Sequence, residues 1–305
     1  MSLKTIVRVL GGDLYDGGRR ANIPAPGHSR HDRSVSLLER DGRLIVHTFG
    51  DGDWRQVRDD LRARGLLGGR DATDRPGSLA QPPVGPAQAA RREVALALWS
   101  AGRAIDGGLS ERHCRLRGVQ GPLPGDHALR HHGMAPLAVY RQGAATRPAL
   151  LAAVRDAEGT VTAVEITYLG PAGRRAAGLR LVRKTVGLIP PGSAVRLDPW
   201  GPDMLVAEGV FTALSARRRF DLPAWALLST SNLRSWRPPP GVRSVLIAAD
   251  RGPDGEASAR VLARALRAMG IRTRIALPPP PHGDWNEAEA AGRRGGGGAG
   301  REKEE

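Results

Sequence analysis

Between Met204 and Asn286 one arrangement occurs three times: an apolar run of β-type residues leads to an acidic residue beside a glycine. The first run is Met204-Leu205-Val206-Ala207, followed by Glu208-Gly209. The second is Ser244-Val245-Leu246-Ile247-Ala248-Ala249, followed by Asp250-Arg251-Gly252-Pro253-Asp254-Gly255. The third is Arg274-Ile275-Ala276-Leu277, then four prolines and His282-Gly283-Asp284-Trp285-Asn286. Runs that are apolar at every position suit strands buried on both faces, as in a parallel sheet with helices on each side.

The intervening segments supply those helices. Val210, Phe211 and Leu214 recur at helical spacing, as do Val261, Leu262, Ala265, Leu266 and Met269. Strands alternating with helices imply right-handed crossovers, which bring the C-terminal ends of the strands to one edge. Ligands of open α/β sheets bind at that edge. Glu208, Asp250 and Asp284 are therefore expected to converge there. Carboxylates gathered in one place repel one another unless a cation sits among them, and hard oxygen donors favour magnesium or manganese.

These residues resemble a Toprim domain, the metal-binding fold shared by bacterial-type primases, type IA and II topoisomerases and some nucleases. The closing Asp284-Trp285-Asn286 is most similar to the Toprim of phage- and plasmid-borne primases. The resemblance implies a Mg²⁺ or Mn²⁺ cofactor, with Glu208 as general base or metal-positioning carboxylate, Asp250 as principal metal ligand, and Asp254 and Asp284 as auxiliary ligands. One departure matters. The family has Asp-x-Asp after the second strand, and Gly252 stands at the second carboxylate here. Asp254 either substitutes for it or helps cap the following helix, and Asp284 has the same alternative at a helix starting at Trp285.

The N-terminal part resembles the zinc ribbon that opens bacterial-type primases. The match runs through Ala25-Pro26-Gly27-His28, Asp32-Arg33-Ser34-Val35-Ser36-Leu37 and Val46-His47-Thr48-Phe49-Gly50-Asp51, but Ala25, Thr48 and Asp51 stand at the cysteine positions. A structural zinc site needs about four thiolate or imidazole ligands, so no zinc is expected. Strands over 34–39 and 43–49, joined at Asp41-Gly42, and a helix from Trp54 to Arg64 stopped by Gly65 would supply the core instead. The resemblance implies template contacts from this module, with Arg19, Arg20, Arg30, Arg33 and Arg43 as candidates.

The fold expected is α/β in the C-terminal domain and α+β overall. A ribbon-like module covers residues 1–67, and a Gly-, Pro- and Asp-rich linker covers 68–86. A helical and hairpin segment follows over 87–200, then the Toprim domain over 201–291 and a disordered tail over 292–305. The middle segment is expected to place helices at 86–105 and 109–119, and a hairpin of 149–154 with 161–169 around Asp156–Gly159. It resembles the wall that precedes Toprim in mobile-element primases. There a basic stretch faces the template, and Arg174, Arg175, Arg183 and Lys184 are the matching positions.

The net charge of +15 rests on 46 Lys plus Arg against 31 Asp plus Glu, and only Lys4, Lys184 and Lys303 are lysines. A pI near 11.3 favours a polyanionic partner, nucleic acid first. The single cysteine, Cys114, excludes an internal disulfide and a thiolate zinc cluster, and its neighbours Arg112, His113 and Arg115 are of the kind that lower a thiol pKa. No phosphate-gripping Gly-x-x-x-x-Gly-Lys-Ser/Thr loop is present. No apolar run reaches transmembrane length, so no membrane partner is expected and the location expected is cytoplasmic. The expected function is a primase-like nucleotidyl transferase of phage, plasmid or integrated-element type. Single-stranded DNA and nucleoside triphosphates are the partners, with a replicative helicase as a further one. A non-catalytic binding module and a Toprim nuclease are the alternatives.

Overall fold

The computed structural model describes residues 2–27, 35–40, 43–48, 54–67, 86–179 and 181–296. The chain divides into two units, Met1–Pro82 and Pro83–Glu305, and each has its own core.

The first unit runs α1 (Leu3–Leu10), β1 (Asp13–Tyr15), β2 (Arg20–Ile23), β3 (Val35–Arg40), β4 (Arg43–Thr48) and α2 (Trp54–Ala63). Its strands pair antiparallel in chain order. The alternation is one-sided: Val35 and Leu37 of β3 and Leu44 and Val46 of β4 are buried, together with Val57 and Leu61 of α2. Gly65 at φ 66° ends α2, its N–H bound to the Arg62 carbonyl at 2.9 Å and that of Leu66 to Leu61 at 2.8 Å. This is a Schellman cap, and a glycine adopts its left-handed conformation without a Cβ clash.

Helix α1, which buries Leu3 and Ile6 in the same core, has no counterpart among the expected elements; its eight residues are too few to display a repeating apolar stripe. At the ribbon's cysteine positions Ala25 packs against the core and Thr48 ends β4. His28, Arg30, Arg33, Asp51 and the Asp41-Gly42 turn lie outside the described residues.

The second unit runs α3 (Pro86–Ser100), α4 (Leu109–Leu116), β5 (Leu129–Pro136), β6 (Thr146–Arg155), β7 (Val161–Tyr168), β8 (Arg183–Gly187), β9 (Ala194–Arg196), β10 (Asp203–Ala207), α5 (Val210–Phe220), β11 (Ala224–Ala226), α6 (Thr230–Ser235), β12 (Ser244–Ala248), α7 (Pro253–Ala268), β13 (Arg272–Ala276) and α8 (Trp285–Gly296). All its described strands belong to one sheet, ordered β13-β12-β10-β11-β9-β6-β7-β8, with β5 also on β6. The first four are mutually parallel; from β9 onward every pairing is antiparallel. The hairpin segment, a separate piece by sequence, is thus welded to the parallel strands by the three residues of β9.

The parallel strands are apolar throughout because both their faces are covered. On one side Leu205, Ala207, Leu246 and Ala248 meet Val210, Phe211 and Leu214 of α5 and Trp285 of α8. On the other Val206, Val245 and Ile247 meet Leu233 of α6 and Ala259, Leu262 and Leu266 of α7. Each such large side chain contributes roughly 1.5–3 kcal/mol when taken out of water. Trp285 also fixes α8, packing edge-on against Phe220 at 5.0 Å between ring centres and donating its indole N–H to the Ala276 carbonyl at 3.3 Å.

The tail expected to be disordered from Gly292 needs correction, since α8 continues to Gly296. The helix is already formed before Gly292, and extending a helix is less costly than starting one. Residues 297–305 lie outside the described residues.

Candidate functional site

The site is built from the residues that leave the parallel strands at one edge of the sheet. Glu208 leaves β10, and Gly209 starts α5 with its carbonyl accepting from the Ala213 N–H at 2.9 Å. Asp250 leaves β12 and accepts a hydrogen bond from the Thr212 hydroxyl of α5 at 3.4 Å. Gly255, in the first turn of α7, lies so near Asp250 that a Cβ there would sit 2.6 Å from the Asp250 carbonyl oxygen. The glycine of the second motif is therefore required by close packing of helix on strand end.

The third loop is tied to the second. The Arg251 N–H donates to the Gly283 carbonyl at 2.7 Å and its guanidinium to that of Pro278 at 2.5 Å. Asp284 then caps α8, accepting from the Glu287 N–H at 2.7 Å, while the Glu287 carboxylate accepts from the Gly283 N–H at 2.8 Å. This reciprocal arrangement is close to a capping box. On the other side Leu228, at φ 72°, donates its N–H to the Glu208 carbonyl at 2.7 Å. A β-carbon residue in that region is strained, so the Glu208 backbone is held at a conformational cost.

The side chains at these strand ends line one polar cavity of about 330 Å³. Its lining carries the carboxylates Glu165, Glu208, Asp250, Asp284 and Glu287 and the guanidinium groups of Arg117, Arg175 and Arg183. Burial is the main force on the acidic groups. It raises the Asp250 pKa to about 7, and the neighbouring charges of Glu208 and Asp284 add to the rise. Glu208 is also raised by burial, against the opposing pull of Arg183. Burial likewise raises Glu165, which Arg183 approaches to 4.0 Å. Arg117 is pressed below its ordinary value by burial and then by Arg175. The cost lies in burial and in repulsion among like charges, so a cation among the carboxylates or an anion among the arginines would relieve it.

Of the carboxylates singled out from sequence, Glu208, Asp250 and Asp284 line the cavity together, and Asp284 is at once lining residue and helix cap. Asp254 is exposed in the first turn of α7 and does not line the cavity. That turn is entered through Gly252 at φ 125°, and the extra residues carry Asp254 onto the helix surface. Among the basic candidates, Arg175 and Arg183 reach the cavity and exposed Arg174 does not line it.

Lys184 follows Arg183 in β8, and successive side chains of a strand point to opposite faces. Its ammonium donates to the Leu137 carbonyl at 2.7 Å and lies 5.2 Å from the Tyr168 ring centre. Arg33 lies outside the described residues. The cations beside Cys114 do not prevail: the thiol is buried, and burial pushes its pKa up to about 12 against the pull of Arg115.

Arg117, Glu165 and Glu287 are site residues that the motifs do not single out. Glu165 is the one charge in the apolar run from Val161 to Tyr168, and that oddity is its signal. A larger hollow of about 530 Å³ beside α5 and α8 holds Glu289, which Arg218 neutralises at 2.6 Å.

The geometry defines an α/β domain with an acidic edge at its parallel-strand ends, and three arginines line the same cavity. Residues 203–294 match the family model described as Toprim domain, and this part of the chain is a Toprim domain. Residues 89–197 match a domain of unknown function, DUF7146. No curated protein matches the chain.

Among solved structures it is similar to the primase fragment of the bacteriophage T7 primase-helicase protein, at 16% identity over 90% of this chain and 95% of that one, TM-score 0.41. It is also similar to the Aquifex aeolicus primase zinc-binding and RNA polymerase domains, at 12% identity over 96% and 82%, TM-score 0.44. A third likeness is to the RNA polymerase domain of Mycobacterium tuberculosis primase DnaG in complex with a DNA oligomer, at 14% identity over 68% and 78%, TM-score 0.41.

Toprim domains generally bind divalent metals such as magnesium. Among the described residues no three His, Cys, Asp or Glu side chains are gathered tightly enough to enclose an ion by themselves. Magnesium does not require that; it keeps several waters and takes one or two carboxylates plus substrate phosphates. The hard oxygen donors Glu208, Asp250 and Asp284 on one cavity fit that ion. No described helix is long and apolar enough to cross a membrane.

Proposed function

We propose that this chain is a primase-like nucleotidyl transferase that makes primers on single-stranded DNA in the replication of a mobile element. The observation that carries the reading is one cavity lined by both carboxylates and arginines. A nucleoside triphosphate brings polyphosphate, and its transfer chemistry needs cations on the phosphates and oxygens that organise a metal. Both requirements are represented here. The order of modules supports the reading too: a ribbon-like N-terminal unit, an arginine-bearing segment, then Toprim.

In this mechanism a divalent ion would be held by one or two of Glu208, Asp250 and Asp284 together with water and substrate phosphate, and would supply charge neutralisation at the phosphates and a lower pKa for the attacking hydroxyl. Glu208 would receive the proton of the primer-end hydroxyl as its oxygen bonds to the α-phosphorus, the α–β phosphoanhydride bond breaks and pyrophosphate leaves. Asp250, which accepts from the Thr212 hydroxyl, would be the principal ligand. Arg117, Arg175 and Arg183 receive the phosphates, with Arg174 and Lys184 nearer the template, and Arg33 a further template contact. A replicative helicase is the further partner proposed, and the proposed location is cytoplasmic.

A second reading, a nucleic-acid-binding module without polymerisation, is favoured by Gly252 at the family's second carboxylate and by the exposed position of Asp254. Primer synthesis on a single-stranded template with labelled nucleotides, in magnesium and separately in manganese, decides between them. Short products that vanish in Glu208→Ala and Asp250→Ala support the enzyme. No product alongside salt-sensitive DNA binding supports the module, and nicking of a plasmid by the wild type would point to the nuclease class.

A further inference from the structure

Helix α8 does more in this site than carry Asp284. Asn286, in the first turn of the helix, is 2% exposed, and its amide is fully used. Its Oδ1 accepts from Arg117 Nε at 2.8 Å and from Arg117 Nη2. Its Nδ2 donates to the Arg117 carbonyl at 2.7 Å and to the Ser215 hydroxyl at 3.1 Å. One side chain thus holds both the backbone and the guanidinium of a single arginine. That guanidinium also lies 4.7 Å from the Phe211 ring centre. A separate feature shows how tightly α8 is seated on this turn: Gly118, at φ 88°, has no Cβ, and one built there would sit 3.1 Å from Ala290 of α8.

We propose that Asn286 is a positioning residue for the anion-binding part of the cavity. It fixes Arg117 at a set distance from Asp284, two residues away in the same segment. Arg175 and Arg183 repel Arg117 while Asp284 and Glu287 attract it, and the tether fixes where the guanidinium stands between these opposed pulls. The chemistry of the tether matters as well. A neutral amide holds the guanidinium without cancelling its charge, so the cation stays available to phosphate; an aspartate would neutralise it. The inference rests on the nucleotide-handling reading of the cavity.

The test is a double-mutant cycle on the full chain, measuring affinity for inorganic triphosphate with magnesium, with circular dichroism to confirm folding. Asn286→Leu is expected to weaken binding about 10- to 100-fold, the effect of losing a charge-assisted contact. In an Arg117→Ala background the same change is expected to alter binding less than about 2-fold, since its effect passes through Arg117. A merely structural asparagine predicts equal weakening in both backgrounds, and that result overturns the proposal. Unchanged binding by a folded Asn286→Leu protein overturns it too. Should Asn286→Leu not fold, Asn286→Ser reads the same cycle. Wild-type protein that binds triphosphate but makes no primers defeats the enzyme reading alone, and the cycle still decides the role of Asn286. Wild-type protein that binds no triphosphate defeats both.

Discussion

The two halves of the large sheet arm one cavity in different ways. In the parallel half, β13-β12-β10-β11, the functional groups stand beyond the strand ends: Glu208 after β10, Asp250 after β12, and Asp284 past β13. In the antiparallel half they stand on the strands themselves or on the turns beside them: Glu165 within β7, Arg183 at the start of β8, and Arg175 between the two. Strand ends at a crossover edge are fixed by topology, so the carboxylates after β10, β12 and β13 converge without any side chain being chosen for its face. Groups on an antiparallel face are selected by alternation, and a shift of one residue reverses them.

The largest expected effect tests the strand-end half. Asp250→Ala is predicted to lower primer synthesis by at least about a thousandfold, the scale on which removing a major electrostatic contributor acts. Glu208→Ala should match it. Activity within tenfold of wild type in either variant would falsify the assignment of the acidic edge. The next effect tests alternation. Arg183→Ala is predicted to weaken nucleotide binding about tenfold or more, while Lys184→Ala leaves affinity within about twofold, because its ammonium is committed to Leu137 on the other face. Equal losses in the two variants would mean that β8 does not present alternate faces to the ligand.

That difference in construction also decides what is legible in the sequence. The Toprim half is readable because strand, acid and glycine recur in order, and the buried strands are apolar at every position. The short elements are not. β11, with three residues, and β9, with three, hold too few positions for any period to show, yet they join the two halves of the sheet. The site divides similarly. Glu208, Asp250 and Asp284 can be named from their motifs. Arg117 and Glu165 reach the cavity through the tertiary pairing of β6 with β9 and the seating of α8 on the turn after α4, which no local pattern encodes. For Asp254 the sequence leaves ligand and helix cap both open, and the loop through Gly252 places it on the surface.

Backbone room at the second motif gives a smaller effect. Gly255→Ala puts a Cβ against the Asp250 carbonyl, and relief requires a shift of α7 or of the Asp250 loop. The expected cost is about 1–3 kcal/mol of stability, typical of overpacking, with a larger proportional loss of activity because Asp250 moves. Gly252→Asp, which restores the family's second carboxylate, meets open space but a φ of 125°, a region closed to side chains at a cost of roughly 1–3 kcal/mol. Chemical denaturation of both variants measures this. A Gly252→Asp protein as stable as wild type would show that the loop can rebuild itself, and its activity would then report on the missing carboxylate.

The smallest effect concerns the standing cost of the acidic edge. Asp250 titrates near 7 in the folded protein, against about 4 in an unfolded chain. Above pH 7 the metal-free fold holds this carboxylate charged in a place that disfavours charge. Between pH 7 and 4 the folded state takes up the proton first, and that penalty fades as the pH falls. Asp250→Asn, which still offers an oxygen to Thr212, is therefore predicted to stabilise the metal-free protein by about 1–3 kcal/mol at pH 8, after allowance for water in an open cavity. The gain should shrink by pH 5. Magnesium should raise the melting temperature of the wild type and leave the variant nearly unmoved, because a ligand stabilises only the state that binds it. Thermal melts at the two pH values, with and without magnesium, read all of this. A variant less stable than wild type at pH 8 would mean that the carboxylates are not in tension, and that the acidic edge has no deficit for a cation to fill.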